Sequence, residues 1–132
     1  MSTLIACVSS GKGTWAEVNN IMKSEKWDKI YLVCSQFAYE NFEVDLNKAT
    51  KLKFDEKNPN KSFDILSKFF KKQIKDVEVA LNLCSGTGIE HMGILSAVLK
   101  AGVGVRFIYY SMNEIKEFEI LEGSYDPNDD LF

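Results

Sequence analysis

The 132-residue chain predicts a three-layer α/β fold: a mostly parallel sheet in strand order 3-2-1-4-5, with an antiparallel last strand. Three observations carry that prediction. Short, continuous apolar runs alternate with stretches of helical spacing, the pattern of parallel strands joined by crossover helices. Two glycine-rich turns stand where a strand gives way to a helix. Only Ser111 to Glu114 separate the fifth strand from the last. That is too short for a crossover, so those two strands must run antiparallel.

The elements follow in order. Thr3 to Ser9 is apolar at nearly every position, the mark of a strand buried on both faces. From Thr14 to about Lys26, Trp15, Val18, Ile21 and Met22 recur at helical spacing. Lys29 to Cys34 is the second strand, and Gln36 to Phe42 a short helix. Thr50 to Asp55 alternates and carries lysines, as an edge strand does. Asn58-Pro59-Asn60 predicts a turn, after which Phe63, Leu66, Phe70 and Ile74 line one face of a helix. Val77 to Cys84 is the fourth strand, Gly88 to Ala101 a mostly apolar helix, and Val103 to Tyr110 the fifth strand. Ile115 to Leu121 alternates and closes the sheet. Residues 1–122 therefore read as one domain, and 123–132 as an acidic, turn-rich tail.

Composition excludes several function classes. With 45% hydrophobic and 27% charged residues, the chain is an ordinary globular sequence. No apolar run reaches the ~18 residues that a membrane span needs. The N-terminus lacks a basic stretch followed by a cleavable apolar segment, so the reading is cytoplasmic. A formal net charge of −3 argues against long nucleic acid as a partner while leaving room for a small anion. Cys7, Cys34 and Cys84 are odd in number and lie far apart, each within or at the end of an apolar run. They read as buried thiols rather than a disulfide framework or a metal site.

The two strand-to-helix turns repeat one device. Ser9-Ser10-Gly11-Lys12-Gly13-Thr14 follows the first strand, and Cys84-Ser85-Gly86-Thr87-Gly88 the fourth. Thr14 with Glu17, and Thr87 with Glu90, each fit a capping box. Glycine permits close backbone approach to a ligand, and N–H groups at a helix N-terminus attract anions. In a sheet ordered 3-2-1-4-5, the first and fourth strands are neighbours with crossovers leaving in opposite directions. Ligands bind in the crevice at the carboxyl ends of such strands. Ser9, Ser10, Gly11, Lys12, Gly13, Thr14, Ser85, Gly86, Thr87 and Gly88 are therefore the candidate ligand-binding residues.

Motif tests narrow the ligand. A P-loop fails, because Ala6 stands where its first glycine belongs and Gly13 follows Lys12 in place of Ser or Thr. The dinucleotide fingerprint survives in part as Gly11-x-Gly13-x-x-Ala16, yet the second strand ends in Cys34-Ser35-Gln36 with no acid for a ribose. No cofactor is expected. The candidate residues include no carboxylate cluster, so no metal is expected either. His91, the one histidine, lies in the first turns of the helix after Thr87, where an imidazole can transfer a proton. Asn82, in a central strand, is expected to tether a crevice loop. Tyr109 and Tyr110 end the fifth strand and can stack on a base or cap the core. Lys68, Lys71, Lys72 and Lys75 read as a solvated helix face.

The stretch Val79-Ala80-Leu81-Asn82-Leu83-Cys84-Ser85-Gly86-Thr87, an apolar helix, and Val105-Arg106-Phe107-Ile108-Tyr109-Tyr110 together resemble a CRISPR-associated Rossmann-fold (CARF) domain in stand-alone form. Ser9-Ser10-Gly11-Lys12 stands where that family has its other site. Gly88 replaces the family's common lysine, and Cys84-Ser85 replaces a common Thr-Gly. The resemblance implies a homodimer whose joined crevices bind a cyclic oligoadenylate, a second messenger of type III CRISPR antiviral defence. It implies either signalling through a separate effector protein or slow, metal-independent opening of the ring, with Lys12 and His91 as the candidate catalytic residues. Two alternatives stand beside it: a non-catalytic regulatory subunit with a vestigial site, and a dinucleotide-binding protein.

Overall fold

The computed structural model describes residues 2–45 and 47–119. The chain runs β1 (Thr3–Val8), a 3-10 turn (Lys12–Thr14), α1 (Trp15–Ser24), β2 (Lys29–Cys34), α2 (Gln36–Asn41), β3 (Ala49–Lys53) and α3 (Pro59–Gln73). It continues through β4 (Glu78–Asn82), α4 (Gly88–Lys100), β5 (Gly104–Ser111) and β6 (Glu114–Glu117). The six strands form one sheet in the order β3-β2-β1-β4-β5-β6. All neighbours are parallel except β5 and β6. The fold is thus Rossmann-like, and the order inferred from the sequence is the order observed. The tail at 123–132 and the end of the expected last strand, Ile120 and Leu121, lie outside the described residues.

The sheet separates two apolar layers, and the period of a strand decides which residues enter each. Ile5, Cys7, Val33, Val79 and Leu81 face α3 and α4, where Leu66, Phe70, Ile94 and Val98 meet them. Leu4, Ala6, Val8, Leu32 and Ala80 face α1 and α2, where Val18, Ile21, Ala38 and Phe42 cover them. Every residue of β1 is buried, as its continuous apolar run requires. Each large side chain among these removes enough apolar surface to contribute ~1.5–3 kcal/mol. No helix among the described residues is long and apolar enough to cross a membrane.

Several strands are shorter or shifted at their ends, the fourth running Glu78–Asn82 and the last ending at Glu117, and two helices start elsewhere than expected. The helix expected from Phe63 begins at Pro59. Proline at the first helical position gives up no hydrogen bond and has the right φ in advance, so Asn58-Pro59 opens the helix instead of forming a separate turn. The first crossover helix begins at Trp15 behind a 3-10 turn, rather than at Thr14.

The chain just after β3 also sets the position of α4. The Phe54 N–H donates to the Cys34 carbonyl at 2.8 Å, and the Phe54 ring is buried against α4. At Gly93 a Cβ would overlap the edge of that ring. The glycine is a seat for Phe54, which explains an otherwise unfavourable residue in mid-helix. Gly93→Ala is expected to destabilise the fold by about 1–3 kcal/mol through overpacking. Urea unfolding measures it, and Phe54→Leu in the same background should recover part of the loss.

Candidate functional site

The carboxyl ends of β1, β2, β3 and β4 surround a cleft of about 910 Å³. Its first wall is Ser9, Ser10, Gly11, Gly13 and Thr14, and the facing wall is Cys84, Gly86, Thr87 and Glu90. Parallel pairing of Leu4 with Ala80 and Ala6 with Asn82 brings the two loops to one place. A hydrogen bond then fastens them: the Ser9 N–H donates to Ser85 Oγ at 2.9 Å, with both residues buried. Among the sequence-predicted residues, seven line the cleft. Lys12, Ser85, Gly88 and His91 lie outside that lining.

Each of those four has an identifiable place. Ser85 is 1% exposed, and its hydroxyl is occupied as the staple to Ser9. Lys12 leans over aromatic rings, with Nζ 5.9 Å from the Trp15 centroid and 5.5 Å from that of Phe37. Gly88 starts α4 and faces open space. His91 is half-buried and its Nε2 donates to the Ser85 carbonyl at 2.8 Å. The imidazole therefore holds the loop at Ser85, with Nε2 as its protonated nitrogen.

The two turns that look alike in sequence differ in structure. Thr87 forms the complete capping box with Glu90: its Oγ1 accepts from the Glu90 N–H at 3.3 Å, and the Thr87 N–H donates to Glu90 Oε1 at 2.9 Å. The expected box at Thr14 and Glu17 does not form. Thr14 is already helical, at φ −95° and ψ −6°, so its Oγ1 donates backwards to the Gly11 carbonyl at 3.0 Å. Glu17 is left to reach the sheet, where Asn82 Nδ2 lies 3.5 Å from its carboxylate. Asn82 also donates to the Ile108 carbonyl at 2.9 Å, and its Oδ1 accepts from the Cys84 N–H at 3.4 Å. It thus tethers the Cys84 loop to β5, the structural role expected of it.

Gly86 is required by the fold itself. It sits at φ +116°, and a Cβ there would lie 2.6 Å from Cys7 Sγ and 3.0 Å from His91 Nε2. At Gly11 and Gly13 a Cβ would meet nothing within 4 Å, so those two glycines keep the first wall of the cleft open.

Sequence reasoning missed a whole side of the cleft. Ser35 and Gln36 just after β2, Lys53 at the end of β3, and Asp55, Glu56 and Lys57 beyond it also line it. The predicted strand order contained the signal, since β2 and β3 end on the same rim as β1. The motif search instead followed glycines. This side adds Asp55 and Glu56, with Lys53 and Lys57 beside them, to a site whose sequence-predicted residues held no carboxylate cluster. Asp55 is held below the usual carboxylate range, first by the Lys57 N–H and then by the Asn58 side-chain amide. Thr87 Oγ1 donates to Glu56 Oε1, a contact linking the loop after β3 to the N-terminus of α4. Glu90 is 1% exposed. Among the described residues, no group of three or more His, Cys, Asp or Glu side chains is arranged to hold a metal ion.

Tyr109 and Tyr110 do not line the cleft. The Tyr109 ring packs at 4.8 Å on Phe118, and Tyr110 joins the α1-side core. All three cysteines are free. Burial pushes the Cys34 thiol up to about 12, and it does the same to Cys84, with the Glu17 carboxylate adding to the effect. Comparison with protein families and with curated proteins found no match to this chain.

Two predictions follow from these contacts. Ser85→Ala leaves the buried Ser9 N–H without its partner, which should cost about 1–3 kcal/mol of stability, read from urea unfolding. Replacement by Thr, which keeps the hydroxyl, should cost less. The second concerns alkaline pH. An unfolded cysteine ionises near 9.0 and folded Cys34 only near about 12. The unfolded chain therefore releases its protons first as pH rises. The stability contribution is complete below about 9 and is lost towards about 12. Unfolding midpoints should fall through this window, and less steeply in Cys34→Ala.

Proposed function

We propose that this chain binds a nucleotide second messenger, a cyclic oligoadenylate, in the cleft between the β1 and β4 loops, and does so as a homodimer. One observation carries the reading. Two glycine-rich loops that share one sequence pattern form opposite walls of one cleft at the point where the strand order reverses. That is where open α/β sheets bind ligands. The ligand class comes from the CARF resemblance, and the open backbone at Gly11 and Gly13 leaves space for phosphates on the first wall.

The dimer has support from α4. Ile89, Met92 and Leu99 follow one stripe of that helix and are 46%, 64% and 57% exposed. The stripe adjoins the cleft, because Thr87 caps the same helix. Pairing of two such stripes around a two-fold axis buries them and sets two clefts side by side. The sedimentation mass should be twice 15.0 kDa at micromolar concentration. Met92→Glu should return it to the single-chain value.

A sensor is the reading favoured over a ring-opening enzyme. His91, the candidate proton-transfer residue, is turned to the Ser85 carbonyl and lies outside the cleft lining. Calorimetry against cyclic tri-, tetra- and hexa-adenylate, with chromatography of the incubated ligand, tests the proposal. Heat without products supports a sensor acting through a separate effector protein. Linear products would replace it with a ring-opening phosphodiesterase, and silence with all three rings with a regulatory subunit whose site is vestigial. Lys12 rests on Trp15 and Phe37 outside the cleft lining and must swing from those rings to meet a phosphate. If it does, Lys12→Ala should weaken binding by about 1.5–3 kcal/mol through loss of a charge-assisted contact, and unchanged affinity removes it from the site. The variant's stability should stay within ~0.5 kcal/mol, because the side chain is exposed.

A further inference from the structure

The cleft is chemically two-sided, and the side that carries Glu56 is where a ligand's hydroxyl groups would be read. The β1 wall offers Ser10, Gly11, Gly13 and Thr14, small residues with open backbone. Across from it, the N-terminus of α4 already faces two carboxylates. Glu90 accepts the Thr87 N–H, and Glu56 accepts the Thr87 hydroxyl. At that helix end the Thr87 N–H and hydroxyl are already taken by carboxylates, so the open backbone for a phosphate is on the β1 wall, while Lys53 and Lys57 line the cleft on the same side as Glu56. A carboxylate facing a ligand is instead an acceptor for donors such as a sugar hydroxyl.

The two acids differ in what they can do. Glu90 is buried and committed to its capping box. Glu56 is exposed, lines the cleft, and among the described residues bonds the Thr87 hydroxyl alone. The loop that carries it is braced on both sides. Phe54 is buried against Gly93, and the Asp55 N–H donates to Ser62 Oγ at 2.9 Å. Asp55 in turn accepts the Lys57 N–H at 2.9 Å. Glu56 is therefore presented from a fixed loop, and its present partner is the kind of group that a ribose also offers.

We propose that Glu56 is the specificity-determining residue for a ribose 2′-hydroxyl, which replaces the Thr87 hydroxyl as its hydrogen-bond donor when a ribonucleotide occupies the cleft. The assignment rests on the nucleotide reading of the same cleft and narrows it to ribonucleotides. The acid sits after β3, whereas the dinucleotide fingerprint has it after β2, where Ser35 and Gln36 stand here.

The test is calorimetry with cyclic tetra-adenylate and its 2′-deoxy counterpart, on the full chain and on Glu56→Ala and Glu56→Gln. The parent chain should prefer the ribo ring by about tenfold, the scale of one hydrogen bond to a charged group. Glu56→Ala should lose that preference by weakening the ribo ring alone. Glu56→Gln, which keeps an acceptor oxygen, should retain part of it. Equal affinity of the parent for both rings overturns the assignment while leaving the nucleotide reading intact. So does a preference that survives Glu56→Ala, or an equal weakening of both rings. No heat from either ring with the parent chain overturns the nucleotide reading, and this assignment with it. Far-UV circular dichroism and urea midpoints matching the parent establish that the variants fold.

Discussion

The parallel pairing of β1 with β4 is the constraint on which the rest of this structure depends. β2 and β3 extend the sheet from one side of β1, and β5 and β6 extend it from one side of β4. The crossovers therefore leave this pair in opposite directions and part at its carboxyl end. No backbone can fill the gap between them, so a cleft is a consequence of the strand order rather than an added feature. The Ser9–Ser85 hydrogen bond closes the floor of that gap and leaves its walls free.

The walls are then differentiated by how each loop satisfies its own backbone. After β1, a 3-10 turn lets Thr14 bond back to Gly11, which releases Glu17 from capping. Glu17 moves to the sheet and joins Asn82 beneath the Cys84 loop. After β4, the capping box retains Glu90 at the helix end, and Gly86 at positive φ packs on Cys7 and His91. One loop is thus open and poor in side chains, while the other is held by the buried Ser85 and Glu90 and carries carboxylates at its helix end. Phe54 sets the third side by locking the β3 end onto α4 through Gly93.

Most of the architecture was legible in the residues because its cause is periodic. Continuous apolar runs can serve only as strands covered on both faces, and β1 is buried at every position. The antiparallel last strand followed from a connection too short for a crossover. The candidate site was legible in part. Glycine-rich turns mark where backbone approaches a ligand, and Ser10, Gly11, Gly13, Thr14, Gly86 and Thr87 all lie on the cleft. Glu56 carries no such mark. An acid in a polar loop looks like any other, and its place beside Thr87 comes from a strand and a helix brought together from afar.

The sequence by itself determined the class of the fold, the order of its strands and the position of the crevice, because each follows from local pattern and chain connectivity. Tertiary structure alone decided which side chains the crevice can use. Thr14–Glu17 and Thr87–Glu90 share a local pattern, yet only the second forms a capping box. Ser85 and His91 share the loop chemistry of a ligand site, yet one is consumed by the Ser9 N–H and the other by the Ser85 carbonyl. The physical reason is that a polar group buried on folding takes the nearest available partner. That partner is fixed by which strands lie side by side, a relation among residues up to 76 positions apart.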